Sequence, residues 1–135
     1  MSYANYAKEW SDRINKALSA EGQSRDRASQ EAQAKALLKA LPGYLLFCFC
    51  EEQKQACATR WEPLEGIKPA QLYVIQKHHW LPDQAFSLTH EQLQLVLHDE
   101  LRELALPERA IAPVQADLDA WEMEGVHLNG HHVPD

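Results

Sequence analysis

The run Tyr44-Leu45-Leu46-Phe47-Cys48-Phe49-Cys50 is the longest apolar stretch in the chain, and it limits the fold more than any other feature. It is far shorter than the ~20 residues that a membrane-spanning helix needs, so the protein itself must cover it. The run follows Pro42-Gly43, a pair that ends helices and opens turns, and both of its alternating faces are apolar. That pattern suits a strand buried on two sides. The run is therefore expected to be the central strand of a small antiparallel sheet.

Two further segments are expected to complete that sheet. Across 56–62, Cys57, Thr59 and Trp61 alternate with Ala58, Arg60 and Glu62, which predicts a return strand, with a short helix over 51–59 as the alternative. After the breakers Pro63, Gly66 and Pro69, the β-prone Leu72-Tyr73-Val74-Ile75 predicts a third strand running into Lys77-His78-His79-Trp80.

Elsewhere the apolar residues recur at helical spacing. Tyr3, Tyr6, Ala7, Trp10, Ile14, Ala17 and Leu18 cover one face of an amphipathic first helix that stops near Gly22. An Ala-rich helix from about 28 to 41 carries Ala34, Leu37, Leu38 and Leu41 and should end at Pro42-Gly43, forming a helical hairpin with the first. Thr89 with Gln92 has the form of a capping box, opening a helix to about Leu104 that buries Leu93, Val96, Leu97, Leu101 and Leu104. Pro113 should start a shorter helix that ends near Glu124 and buries Val114, Leu118 and Trp121. Asn129-Gly130 between short flanking runs predicts a terminal β-hairpin. The expected fold class is thus α+β: an N-terminal helical hairpin, a sheet of about three antiparallel strands, two C-terminal helices and a terminal β-hairpin, in one domain over 1–135.

Charge narrows the functional classes. The net charge of −7 is unevenly spread, since residues 1–50 carry +2, residues 51–77 zero and residues 78–135 −9. An acidic surface repels phosphates, and counterion release needs clustered Lys or Arg, so no nucleic-acid partner is expected. The first residues, with Lys8, Glu9, Asp12 and Arg13, lack the apolar core of an export signal, and no membrane partner is expected either. Three cysteines, two of them one residue apart, suit neither a disulfide framework nor a redox pair, which predicts reduced thiols and a cytoplasmic protein.

Candidate chemistry rests on thiols and imidazoles. On a strand, Cys48 and Cys50 share a face; a return strand could bring Cys57 beside them, with His78 or His79 as a fourth ligand. Such a set could hold zinc, although the usual knuckle spacing of two to four residues is missing. Core packing is the competing role for these cysteines. All seven histidines, His78, His79, His90, His98, His127, His131 and His132, lie in the acidic segment. In a terminal hairpin, His127 and His132 would stand side by side, a second arrangement that could grip a divalent metal. His98-Asp99 falls off the apolar stripe of its helix and is expected to be a solvated face.

There is no glycine-rich phosphate loop, no nucleophile elbow, no His-Glu-x-x-His and no dinucleotide fingerprint. What stands out instead is the aromatic face Tyr3, Tyr6, Trp10 and Ile14 of the first helix, because aromatic residues are enriched where proteins meet. The expectation is a small acidic protein-binding module of the chaperone, immunity or accessory-factor type, non-enzymatic, contacting another protein or a second copy through that face. The alternative is a metal-binding protein using Cys48, Cys50, Cys57, His78 and His79.

Overall fold

A computed structural model describes residues 5–24, 28–123, 126 and 128–130. The described residues form seven helices and one short pair of strands. The helices are α1 (Tyr6–Ala20), α2 (Gln30–Cys57), α3 (Lys68–His78), α4 (Pro82–Phe86), α5 (His90–Val96), α6 (His98–Arg102) and α7 (Glu108–Ala120). The strands β1 (Ala105–Leu106) and β2 (Asn129–Gly130) pair in parallel, Ala105 opposite Asn129 and Leu106 opposite Gly130. The expected α+β fold is overturned.

The correction begins at Pro42. The helix expected to stop there continues to Cys57, so 44–50 is helical and 51–57 is its last two turns. Pro42 removes one backbone hydrogen bond, that to the carbonyl four residues earlier, at a cost of about 3 kcal/mol. Against this stands the burial of Tyr44, Leu46, Cys48, Phe49 and Cys50, with Leu46 and Phe49 each contributing roughly 1.5–3 kcal/mol as buried apolar side chains. A helix that is apolar all round is a buried helix, and a short apolar run does not distinguish that state from a buried strand. The strand expected over 56–62 is lost with the sheet, because 58–63 is an exposed irregular stretch.

The third expected strand is also helical. Lys68 and Pro69 open α3, and Ala70, Gln71 and Val74 turn inward from one face. The β preference of Leu72–Ile75 is overridden by this packing, since such propensities span only about 1 kcal/mol. At the other end of the chain, Asn129-Gly130 lies in β2 and is not a two-residue turn; His127 and 131–133, the other parts of the expected hairpin, lie outside the described residues.

Contacts group the chain into two compact units, one from 1–44 with 105–135 and one from 45–104. In the first unit α1 packs on α7. Asn5 caps α1 by accepting from the Lys8 amide at 3.0 Å, and the buried stripe Tyr6, Trp10, Ile14 and Leu18 follows the expected helical period. The α7 contribution is Ala110, Val114, Asp117 and Leu118, with Pro113 inside the helix and not at its start. Trp10 alone removes some 200 Å² from water, a stabilisation of ~5 kcal/mol. Its indole N–H donates to Asp117 Oδ2 at 2.7 Å, and its ring meets that of Tyr44 edge-on at 5.0 Å. The Tyr44 hydroxyl donates to the carbonyl of Ala110.

The core of the second unit is almost wholly apolar: Leu46, Phe49, Cys50, Ala70, Val74, Ala85, Leu93, Leu97 and Leu101. The Thr89 capping box forms as expected, the Gln92 amide donating to the Thr89 hydroxyl at 3.2 Å and the Gln92 carboxamide oxygen accepting from the Thr89 amide at 2.9 Å. The single helix expected from Thr89 to Leu104 is instead two, broken at Leu97, which leaves helical geometry (φ −99°, ψ 19°) yet stays fully buried. Nothing in the local sequence explains that break. Among the described residues no helix is long and apolar enough to cross a membrane.

Candidate functional site

The second unit carries an exposed corner where α3 gives way to α4. His79 ends α3 with a left-handed backbone (φ 57°), a conformation in which His is one of the better-tolerated non-glycine residues. The chain then turns through Trp80 into Leu81 and Pro82, the latter at the first helical position of α4, where its missing N–H costs nothing. Every residue from Gln76 to Gln84 is exposed. Among them Trp80 is 37% and Leu81 66% exposed, and Phe86, at the far end of the same turn, is 51% exposed.

This corner is anchored from beneath. Ala85 is fully buried, and the side chain of Gln71, itself buried, donates to the carbonyls of Phe86 and Leu88, each at 3.3 Å. The Gln84 carboxamide accepts from the Leu81 amide at 3.3 Å. Leu81, the N-cap of α4, and Phe86, its last residue, are five residues apart, about 7.5 Å along the axis and about 140° around it, and they are held by buried and hydrogen-bonded neighbours. A large apolar side chain on an ordered, anchored turn is pre-organised for contact, because little conformational freedom remains to be lost on binding.

The sequence that follows Lys77 through the corner is acidic. Residues 78–101 contain Asp83, Glu91, Asp99 and Glu100 but no Lys or Arg. Lys77, just before them, lies 3.6 Å from Glu100 and 5.5 Å from the centre of the Tyr73 ring. A hydrogen bond with Tyr73, and next the charge of Glu100, hold its ammonium above the usual lysine range. Asp83 and Glu91 are exposed, and among the described residues no cation pairs with either.

Of the residues singled out from sequence, His78 and His79 lie at this corner, and the other described ones fall elsewhere. Tyr6, Trp10 and Ile14 point into the first unit, at 6%, 1% and 0% exposure, and Arg109 of α7 lies over the Tyr6 ring at 5.9 Å. The aromatic face expected to meet a partner is occupied by the chain's own α7; Tyr3 lies outside the described residues. Cys48, Cys50, Cys57, His78 and His79 are not brought together as a zinc set. On a helix, residues 48 and 50 are about 200° apart, and residues 50 and 57 share a side but sit about 10 Å apart along the axis. Cys48 and Cys50 are buried, Cys57 is exposed, and His78 and His79 are exposed at the end of α3. Among the described residues no three His, Cys, Asp or Glu side chains are grouped closely enough to hold a metal ion.

The first unit contains an open cavity of about 210 Å³ between α1 and the start of α2, bordered by Leu18, Glu21, Glu31, Lys35 and Lys39. Its charges are already matched in part, with Lys39 on Glu21 at 3.0 Å. That leaves a mixed, solvated rim with no convergent polar groups. Sequence reasoning missed the α3–α4 corner because it extended 72–80 as a strand. The available signal was Leu81-Pro82-Asp83-Gln84, a helix start with Pro at its first position and an acid in its first turn.

Comparison with family models, curated proteins and solved structures finds no match to this chain.

Proposed function

We propose that this chain is a non-enzymatic protein-binding module of the chaperone, immunity or accessory-factor kind, and that it meets its partner through the α3–α4 corner of the second unit. The observation that carries this reading is the exposure of Trp80, Leu81 and Phe86 on a turn that buried Gln71 and Ala85 hold in place. Scattered exposed apolar residues are ordinary, whereas several on one anchored turn mark a contact surface. Trp is also among the residues that dominate interface energies.

Cys48, Cys50 and Cys57 are not joined in disulfides, which suits a cytoplasmic protein. The test is a comparison of three full-length proteins, wild type, Leu81→Ser and Phe86→Ser, used as bait in extract of the native cell. A specific partner that is retained by wild type and lost by both variants supports the reading. Retention of every specific partner by both variants overturns it.

A further inference from the structure

We propose that the occupant of the Trp80–Leu81–Phe86 surface is a basic amphipathic helix of another protein, with apolar side chains along one face and Lys or Arg at its edges. This rests on the docking surface proposed above and adds the chemistry of its partner. Three observations select that chemistry.

The first is the apolar content and size of the surface. Leu81 and Phe86 at the two ends of α4, with Trp80 just before it, are three exposed apolar side chains within seven residues. An amphipathic helix presents apolar side chains at i, i+3, i+4 and i+7 that can meet such exposed residues.

The second is charge. The chain from 78 to 101 has four acidic residues and no Lys or Arg. Asp83 lies inside α4, between the two apolar anchors, and Glu91 lies in the first turn of α5. With no cation among the described residues paired to either, both carboxylates are free to face a partner's cations. Electrostatic complementarity chooses partners and speeds encounter. The same carboxylates repel a second copy of this corner, a nucleic-acid backbone and an anionic membrane surface.

The third is order. Gln71 fixes the backbone at Phe86 and Leu88, and the Gln84 side chain fixes the start of α4. The anchors are therefore presented in a set geometry, and no folding of this corner has to accompany binding.

The experiment uses the full chain and fluorescently labelled synthetic 18-residue helices that share one apolar face of Leu. Their polar positions are Lys in the first, Gln in the second and Glu in the third, and binding is read by anisotropy at low salt. The Lys helix is expected to bind about ten-fold more tightly than the Gln helix, the Glu helix not at all, and added salt should narrow the gap between Lys and Gln. Leu81→Ser and Phe86→Ser should each weaken the Lys helix about ten-fold, a change of about 1.4 kcal/mol, and Asp83→Asn should weaken it about three-fold. All three positions are exposed, and a thermal melt of each variant checks that the fold is kept.

Equal binding of Lys and Gln helices would overturn the basic partner while leaving the docking surface standing. Binding of the Lys helix that is indifferent to both Leu81→Ser and Phe86→Ser would overturn the surface as well, since it would then rest on general attraction to an acidic protein. No binding by any helix would overturn both.

Discussion

Each unit packs one edge-on aromatic pair, Trp10 on Tyr44 and Phe49 on Tyr73, but the second also leaves large aromatic side chains exposed. In the unit built from the two ends of the chain, Tyr6, Trp10 and Tyr44 are buried, and the polar atoms of Trp10 and Tyr44 are hydrogen-bonded to partners far away in sequence, Asp117 and Ala110. In the unit built from 45–104, the core is leucine, alanine, valine and cysteine with Phe49. There Trp61, Trp80 and Phe86 face solvent, Trp61 at 85% exposure. An aromatic face on an amphipathic helix therefore does not mark a contact surface by itself. What decides is whether another element of the same chain covers it, and for α1 that element is α7, about a hundred residues away.

The contrast can be broken most forcefully at Trp10. Trp10→Ala should cost about 3–5 kcal/mol, because it leaves a cavity and strips the buried Asp117 carboxylate of its indole donor. Denaturant unfolding reads this as a lower midpoint, and an unchanged midpoint would mean that the first unit does not depend on its aromatic core. In the second unit the corresponding test is Gln71→Leu. It leaves the carbonyls of Phe86 and Leu88 without their donor and should cost about 1–3 kcal/mol. Amide exchange at Ala85 and Leu88 should speed up, and exchange at the wild-type rate would show that α4 is held without Gln71.

Leu81→Ser and Phe86→Ser sharpen the comparison from the other side. Leu81 is mostly in water and Phe86 about half, so Leu81→Ser should move stability by no more than about 0.5 kcal/mol and Phe86→Ser by about 1–2 kcal/mol. A loss as large as that of Trp10→Ala would show that these residues belong to a core and not to a surface.

The smallest effect concerns pH. Glu21 lies below the usual range for Glu because of its hydrogen bond with Lys39, then the charges of Lys39 and Lys35. Its stabilising contribution is present above the ordinary value near 4.5 and fades as pH falls through the lower folded value. Glu21→Gln should flatten that acid limb of the stability profile slightly, as followed by melting temperature from pH 6 to 3. An unchanged limb would show that this exposed pair contributes nothing measurable.

Part of this was legible in advance. The inward face of α1, the Thr89 capping box and the stripe Leu93, Leu97 and Leu101 follow from spacing, because a local period of 3.6 residues and a local cap need no distant partner. The middle of the chain was not legible for the opposite reason. In Tyr44–Cys50 and Leu72–Ile75 the side chains are equally suited to a buried strand or a buried helix, so the neighbours choose. Pro42 pointed to a helix end and was overridden by burial on both sides of it.

The candidate site divides in the same way. That 78–101 is acidic and free of Lys and Arg can be counted from the chain. That Trp80, Leu81 and Phe86 stay outside while Ala85 goes in depends on where Gln71 reaches, and that is a tertiary fact.

By itself the sequence determined the inward face of α1, the Thr89 cap and the distribution of charge, which arise from residues close together in the chain. Only the tertiary structure decided that the central run is helical, that α7 covers the aromatic face of α1 and that Cys48, Cys50, Cys57, His78 and His79 are not grouped as a metal site. Those outcomes depend on which distant surfaces exclude water together, and burial energies of several kcal/mol outweigh local preferences of about one.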